Sequence, residues 1–262
     1  NNEIKFKVDS KYVLNDKEEP QEIKLKYSKI NSEEKYILNI NLSEHELDLK
    51  EINFNKKKNE ELFLNLIITQ KKNIFELNNF ELFNDKNNFI IKEVEFGKNF
   101  KIKDFDLIEA NYYNKNNFLN DISIKKKYNN IELKSKNFDI SSDIEESLKS
   151  TDKSNFFEIF KDLNCIIKID INRAKLDNEH NLMNLSGKST IKNNLINEVN
   201  LSAKFDSKNK FIYTKVETEG KKVTTIFSDK AKPFVKKFNF IKGFEDGKLD
   251  YTSTEINDNL SK

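Results

Sequence analysis

The chain has 262 residues, 36% of them hydrophobic and 34% charged, with a formal net charge of +2 at neutral pH. Its 22 phenylalanines exclude a disordered chain, and interleaved acids and bases, as in "KEVEFGKNFKIKDFDL", exclude the basic footprint of a nucleic-acid surface. A single cysteine, Cys165, excludes an internal disulfide framework, and no apolar run reaches the ~20 residues of a membrane-spanning helix.

The apolar share is low for one compact core and suits a thin, elongated architecture with much of its surface in water. Heavy use of lysine and asparagine fits the codon bias of an AT-rich genome. No signal-peptide pattern opens the chain. The first residue is Asn1, so a piece of a longer protein is expected, with any targeting or anchoring segment outside it.

In chain order, the dominant signal is alternation of period two, the mark of strands with one dry face. It sets Ile4, Phe6 and Val8 on one face of the first strand, then Ile23, Leu25 and Tyr27, then Tyr36, Leu38, Ile40 and Leu42, then Leu62, Leu64, Leu66 and Ile68. The pattern goes on through Val94 and Phe96, Ile122 and Ile124, Ile131 and Leu133, Ile167, Ile169 and Ile171, and Val199, Leu201, Ala203 and Phe205. Short polar connections such as "NDKNN" and "DSKNK" separate the runs, with Asn and Asp supplying the turns. Antiparallel hairpins are expected throughout, with no crossover helices.

Three segments break the alternation. Ser142 and Glu145 form a capping box at the head of a short helix within 137–150. Asp229 is the expected N-cap of another within 228–240, which Pro233 keeps short. "SNFFEIFKDL", 154–163, is a third candidate. The expected fold is mainly β: a long antiparallel amphipathic meander curled into an elongated groove, with two or three short helices. It is read as a single segment, 1–262, with sub-regions 1–150 and 151–262.

Nothing in the sequence assembles chemistry. His45 and His180 lack metal-site spacing and read as surface histidines. Cys165, in "LNCIIKIDI", reads as a small buried hydrophobe. Acidic pairs such as Glu33 and Glu34 read as solvated faces. No Ser-His-Asp set and no phosphate-binding glycine loop is present, so no catalytic residue, metal or cofactor is expected. The glycines of "FIKGFEDGKLDYTST" read as structural turns: Gly243 ends a short helix and Gly247 turns the chain into the next strand.

What remains is the dry face. It is buried either by a second sheet or by a guest in an apolar groove, and periodicity cannot choose between them. A groove would suit an acyl chain, since each methylene taken out of water gains about 0.8 kcal/mol. Its expected lining is Ile4, Phe6, Val8, Ile23, Leu25, Leu38, Ile40, Leu64 and Leu66; the same positions would equally serve as plain core.

Two stretches resemble a known family. In "YNNIELKSKNFDISSDIEESL", Asn137, Phe138, Asp139, Ile140 and Ser141 take the places of a strand-to-helix turn of the bacterial AsmA-like family, in particular its large YhdP-type members. In "KKVTTIFSDKAKPFVKKFNFIKGFEDGKLDYTST", Asp229, Phe234, Phe238, Ile241, Gly243, Gly247 and Leu249 fall on the family's strand, Asp-led helix, glycine turn and strand. The glycines are adjacent in the family and separated here by Phe244, Glu245 and Asp246. The resemblance covers roughly 90–262. It implies a β-groove projecting into the periplasm of a Gram-negative bacterium, anchored to the inner membrane by an N-terminal helix outside this chain and continued by neighbouring segments. Its implied partners are phospholipid acyl chains moving toward the outer membrane. The rival reading is a structural or adhesive β-domain with a closed core that binds protein partners.

Overall fold

The computed structural model describes residues 3–13, 20–72, 74–97, 101–141, 160, 162–218, 221–238 and 246–256. The chain is mainly β and divides into two compact units, Asn1–Lys126 and Lys127–Lys262.

The first unit holds β1 (Glu3–Tyr12), β2 (Gln21–Ile30), β3 (Glu33–Asn41), β6 (Phe63–Lys71), β7 (Ile74–Phe83), β8 (Asn88–Phe96), β10 (Leu107–Tyr113) and β11 (Leu119–Lys127), side by side in that order and antiparallel. The short β9 (Ile102–Asp104) adds to β8, and among the described residues β1 pairs only with β2. Between β3 and β6 the chain makes an excursion with its own two-stranded sheet, β4 (Leu47–Leu49) and β5 (Phe54–Lys56).

Residues directly opposite each other in a strand pair share a face, so the registers trace apolar rows across this unit. One row is Val8, Leu25, Leu38, Leu66, Phe80, Ile91, Ile108, Ile124. The next is Ser10, Ile23, Ile40, Leu64, Leu82, Phe89, Ala110, Ile122. A third runs Phe6, Tyr27, Tyr36, Ile68, Leu77, Val94.

That third row depends on a break in the alternation. Leu77 and Phe80, and Ile91 and Val94, are three apart and would fall on opposite faces of a regular strand. Extra residues at Asn78 and Glu93 restore the parity: the register skips both, and Glu93 has φ 51°. The Asn78 amide donates to Glu93 at 3.2 Å and Asn78 Oδ1 accepts from Thr69 at 3.0 Å, so the two irregularities are bonded across the strands.

The second unit holds β12 (Asn130–Asp139), β13 (Ile166–Lys175), β14 (Asn181–Lys192), β15 (Leu195–Lys204), β16 (Lys210–Thr218), β17 (Lys221–Ser228) and β18 (Leu249–Ile256), again side by side in order. The expectation of a wholly antiparallel meander fails here. β12 and β13 are parallel, with Ile131 opposite Ile167 and Leu133 opposite Ile169. A parallel neighbour needs a long connection to bring the chain back to the same end, and 140–165 is that connection. The helix expected after Ser142 and most of the one in 154–163 lie outside the described residues.

This unit's apolar face is dry: Ile131, Ile167, Leu182 and Ile191 are fully buried. Part of its cover is the short helix Lys232–Phe238, whose Phe234 ring stacks on Phe211 of β16 at 5.2 Å. The N-cap expected at Asp229 is not formed. The helix starts later, and the Asp229 carboxylate accepts the Lys210 N–H at 2.8 Å, tying the chain to β16.

Ser189 lies in the buried row between Ile167 and Val199, and among the described residues its hydroxyl has no hydrogen-bond partner. A buried hydroxyl with no bond loses its hydration without compensation, so Ser189→Ala is expected to raise stability by about 1 kcal/mol. Urea unfolding measures this; a loss of similar size would mean the hydroxyl is bonded.

Asparagine does take over turn duty from glycine. Most non-glycine residues with positive φ are asparagines, Asn31, Asn53, Asn117 and Asn193 among them.

Candidate functional site

The strongest candidate is the apolar face of the first unit. All nine expected lining residues lie on it, in the rows above or, for Ile4, one row outside them opposite Lys29. They are not equally covered. Ile4, Phe6 and Val8 are exposed, at 54%, 48% and 42%, while Ile23, Leu25, Leu38, Ile40, Leu64 and Leu66 are half-buried. Further along the same rows Leu82, Phe89, Val94 and Ile124 are buried. Among these nine, exposure is thus confined to the three on β1.

One end of this face is closed. The excursion between β3 and β6 places Phe54 edge-on to Phe89 at 5.0 Å and to Tyr112 at 6.0 Å. The Tyr112 hydroxyl donates to the Ile52 carbonyl at 3.0 Å, and Lys115 pairs with Asp48 at 2.8 Å. Inside the excursion Lys56 is buried. Its ammonium donates to the carbonyls of Leu42 at 2.9 Å and His45 at 2.7 Å, and to that of Ser43. Burial pushes the Lys56 pKa below its usual value, against Glu60, Glu44 and Glu46, which favour the charge. Three carbonyl acceptors match the three ammonium protons, so the lysine clamps the turn that carries Phe54.

At the other end the outermost row of this face is mixed, with Ile4 and Phe75 flanking Lys29, Glu34 and Gln70. Glu34 takes a hydrogen bond from Lys29 at 2.7 Å and one from the Tyr36 hydroxyl at 2.7 Å. These two bonds hold the Glu34 carboxyl below its usual range. The bond to Glu34 pushes the Tyr36 phenol up to about 12. Glu34 is therefore half-buried and bonded, not the solvated acid its pairing with Glu33 suggested. The face runs from a charged, hydrogen-bonded end to an aromatic plug, with aliphatic rows between.

The histidines also depart from expectation. His45 is buried, with its ring 5.3 Å from that of Tyr12. His180 is half-buried in a turn, its Nδ1 3.0 Å from the Asp177 carboxylate. Burial alone would raise the Asp177 pKa, but the N–H groups of Glu179 and His180 and the His180 ring hold it down. Cys165 is buried, as its apolar setting suggested. Among the described residues no group of His, Cys, Asp and Glu could hold a metal ion, and no helix is long and apolar enough to cross a membrane.

In the second unit, Asp139 accepts the Ser141 N–H at 3.1 Å and lies 3.6 Å from Lys175, so the Asp-led turn is built by its own side chain. Gly247 has φ 109°, and its carbonyl accepts the Ala231 N–H at 2.9 Å just before the short helix. β18 then starts with Leu249 opposite Ser228 and Tyr251 opposite Ile226. Gly243 lies outside the described residues.

Sequence reasoning missed the plug. Its signal was thin: a lone Phe54 in "EINFNKKK", polar enough to pass for a loop. No family model, curated protein or solved structure matches the chain.

Proposed function

We propose that this chain is a non-enzymatic segment of an inner-membrane-anchored periplasmic protein of the AsmA-like kind, and that it carries phospholipid toward the outer membrane. Acyl chains lie in a groove formed by the first unit's apolar face, and neighbouring segments of the same longer chain continue it. The observation that supports this reading best is the row from Val8 to Ile124, which crosses eight paired strands without one polar residue. A closed core needs such a row too. In a closed core, however, Phe6 and Val8 would not stand 48% and 42% exposed at its margin.

The test is photo-crosslinking in cells from positions 25, 38 and 66. Phospholipid adducts are expected at all three. Leu38→Asp places a carboxylate among the chains and is expected to cut the adduct at position 66 roughly tenfold, whereas Leu38→Ala lowers it about twofold or less. Absence of adducts at every position would overturn the proposal in favour of the closed structural or adhesive domain.

A further inference from the structure

The end of the first unit opposite the plug has an unusual rim. Registers define its outermost row as Glu3, Ile30, Glu33, Lys71, Ile74, and the next as Ile4, Lys29, Glu34, Gln70, Phe75. Alternate rows face opposite sides of the sheet. Ile30 and Ile74 therefore project from the polar side and Ile4 and Phe75 from the apolar side. All four are exposed, at 48%, 50%, 54% and 43%. One row further in, the polar side reads Lys5, Ser28, Lys35, Thr69, Glu76, without an apolar residue. The isoleucines at the hairpin tips thus do not belong to the apolar face. They add apolar surface where the sheet would otherwise be wet on that side.

Charge at this rim leans positive. Glu33 and Glu34 are matched by Lys71 at 3.8 Å and Lys29 at 2.7 Å. Glu3 is matched by Lys5, and among the described residues no carboxylate pairs with Lys35 of these rows or with Lys72 beside them, against Glu76 as the one rim acid outside an ion pair. Lys72 stands at the very tip of the β6–β7 hairpin, in a left-handed conformation that turns the chain there. Apolar side chains on both sides of a sheet end, flanked by lysines whose stems are apolar and whose heads stay wet, match the boundary between headgroups and acyl chains of a bilayer. Anionic headgroups supply the countercharge.

We propose that these hairpin tips, Ile30 and Ile74 with Phe75, Ile4 and Lys72, form a bilayer-docking rim that enters the interfacial region of a membrane containing anionic phospholipid. Docking does not require the apolar face to hold lipid, so the two ideas stand or fall separately. It does place the end of that face opposite the plug at the membrane.

The whole 262-residue chain has no tryptophan, so Phe75→Trp introduces a single reporter at the rim and Tyr113→Trp, at an exposed site at the plug end, a matched control. With vesicles of equal parts phosphatidylglycerol and phosphatidylcholine, the Phe75→Trp emission is expected to shift to the blue and the Tyr113→Trp emission to stay unchanged. In co-sedimentation with the same vesicles, Ile74→Ser with Phe75→Ser, and separately Lys71→Glu with Lys72→Glu, are expected to weaken binding roughly tenfold. Tyr113→Ser is expected to bind as the unaltered chain does. Circular dichroism checks that each variant keeps its strands, as substitutions at exposed tips should. The proposal is overturned if the unaltered chain does not bind these vesicles, if the rim variants bind equally well, or if Tyr113→Ser weakens binding as much as they do. Rim variants that lose vesicle binding but keep lipid adducts at position 38 would separate docking from acyl-chain binding.

Discussion

Phe54→Ala is expected to destabilise the first unit by about 3–5 kcal/mol, the range for truncating a fully buried aromatic ring. Phe54 is 1% exposed and packs edge-on against Phe89 and Tyr112. The space left cannot close easily, because both ends of the excursion are tied down. Lys56 clamps the turn at Leu42 to His45, and the Asn53 carbonyl accepts the Lys115 N–H at 2.9 Å. Chemical unfolding gives the total loss. Amide exchange localises it: the Leu42 N–H, bonded to the Leu62 carbonyl, and the Lys115 N–H are expected to exchange faster than in the unaltered chain. Phe54→Leu keeps most of the volume and is expected to cost less than half as much. A loss under about 1 kcal/mol for Phe54→Ala would mean that the plug is not packed on the sheet.

The second large effect is expected at Gly187. It sits in β14 between Ile169 and Leu201, in the middle of the second unit's apolar face, with φ +157°. A β-carbon there would lie 1.9 Å from the Asn200 carbonyl oxygen and 2.9 Å from the Leu201 α-carbon, both backbone atoms of the neighbouring strand. Neither can rotate away, so β14 and β15 must separate locally. Glycine to alanine within an ordinary strand stabilises by about 0.5–1 kcal/mol; here Gly187→Ala is expected to destabilise by roughly 1–3 kcal/mol. The sign therefore decides. Thermal unfolding that rises for Gly187→Ala would show the strands are not in this close contact. By contrast, an added β-carbon at Gly247 would meet nothing within 4 Å among the described residues, and the strain there comes from its φ of +109°.

The mainly-β character of the chain was legible because period-two alternation is local: it needs only neighbouring residues and a dry side for the strand. The same signal put the nine lining residues on one side of their strands. It did not reveal their unequal exposure, which depends on what packs over each strand and not on the strand itself. His45 shows the limit clearly. In "LSEHELDLK" its neighbours are charged, and only the fold of the excursion brings it beneath Tyr12.

Three features were decided by tertiary structure alone. The parallel pairing of β12 with β13 is invisible locally, since a strand's side-chain pattern does not record the direction of its neighbour. The paired irregularities at Asn78 and Glu93 shift parity by one residue, and a reading of strict alternation loses the face there. The plug depends on one phenylalanine finding two aromatic rings distant in the chain, at positions 89 and 112. The sequence by itself determined that strands form and which of their sides is dry, because both follow from side-chain alternation. Tertiary structure decided which strands are neighbours, where the dry face is closed and where it is left open. Those follow from contacts between residues far apart in sequence, which no local pattern encodes.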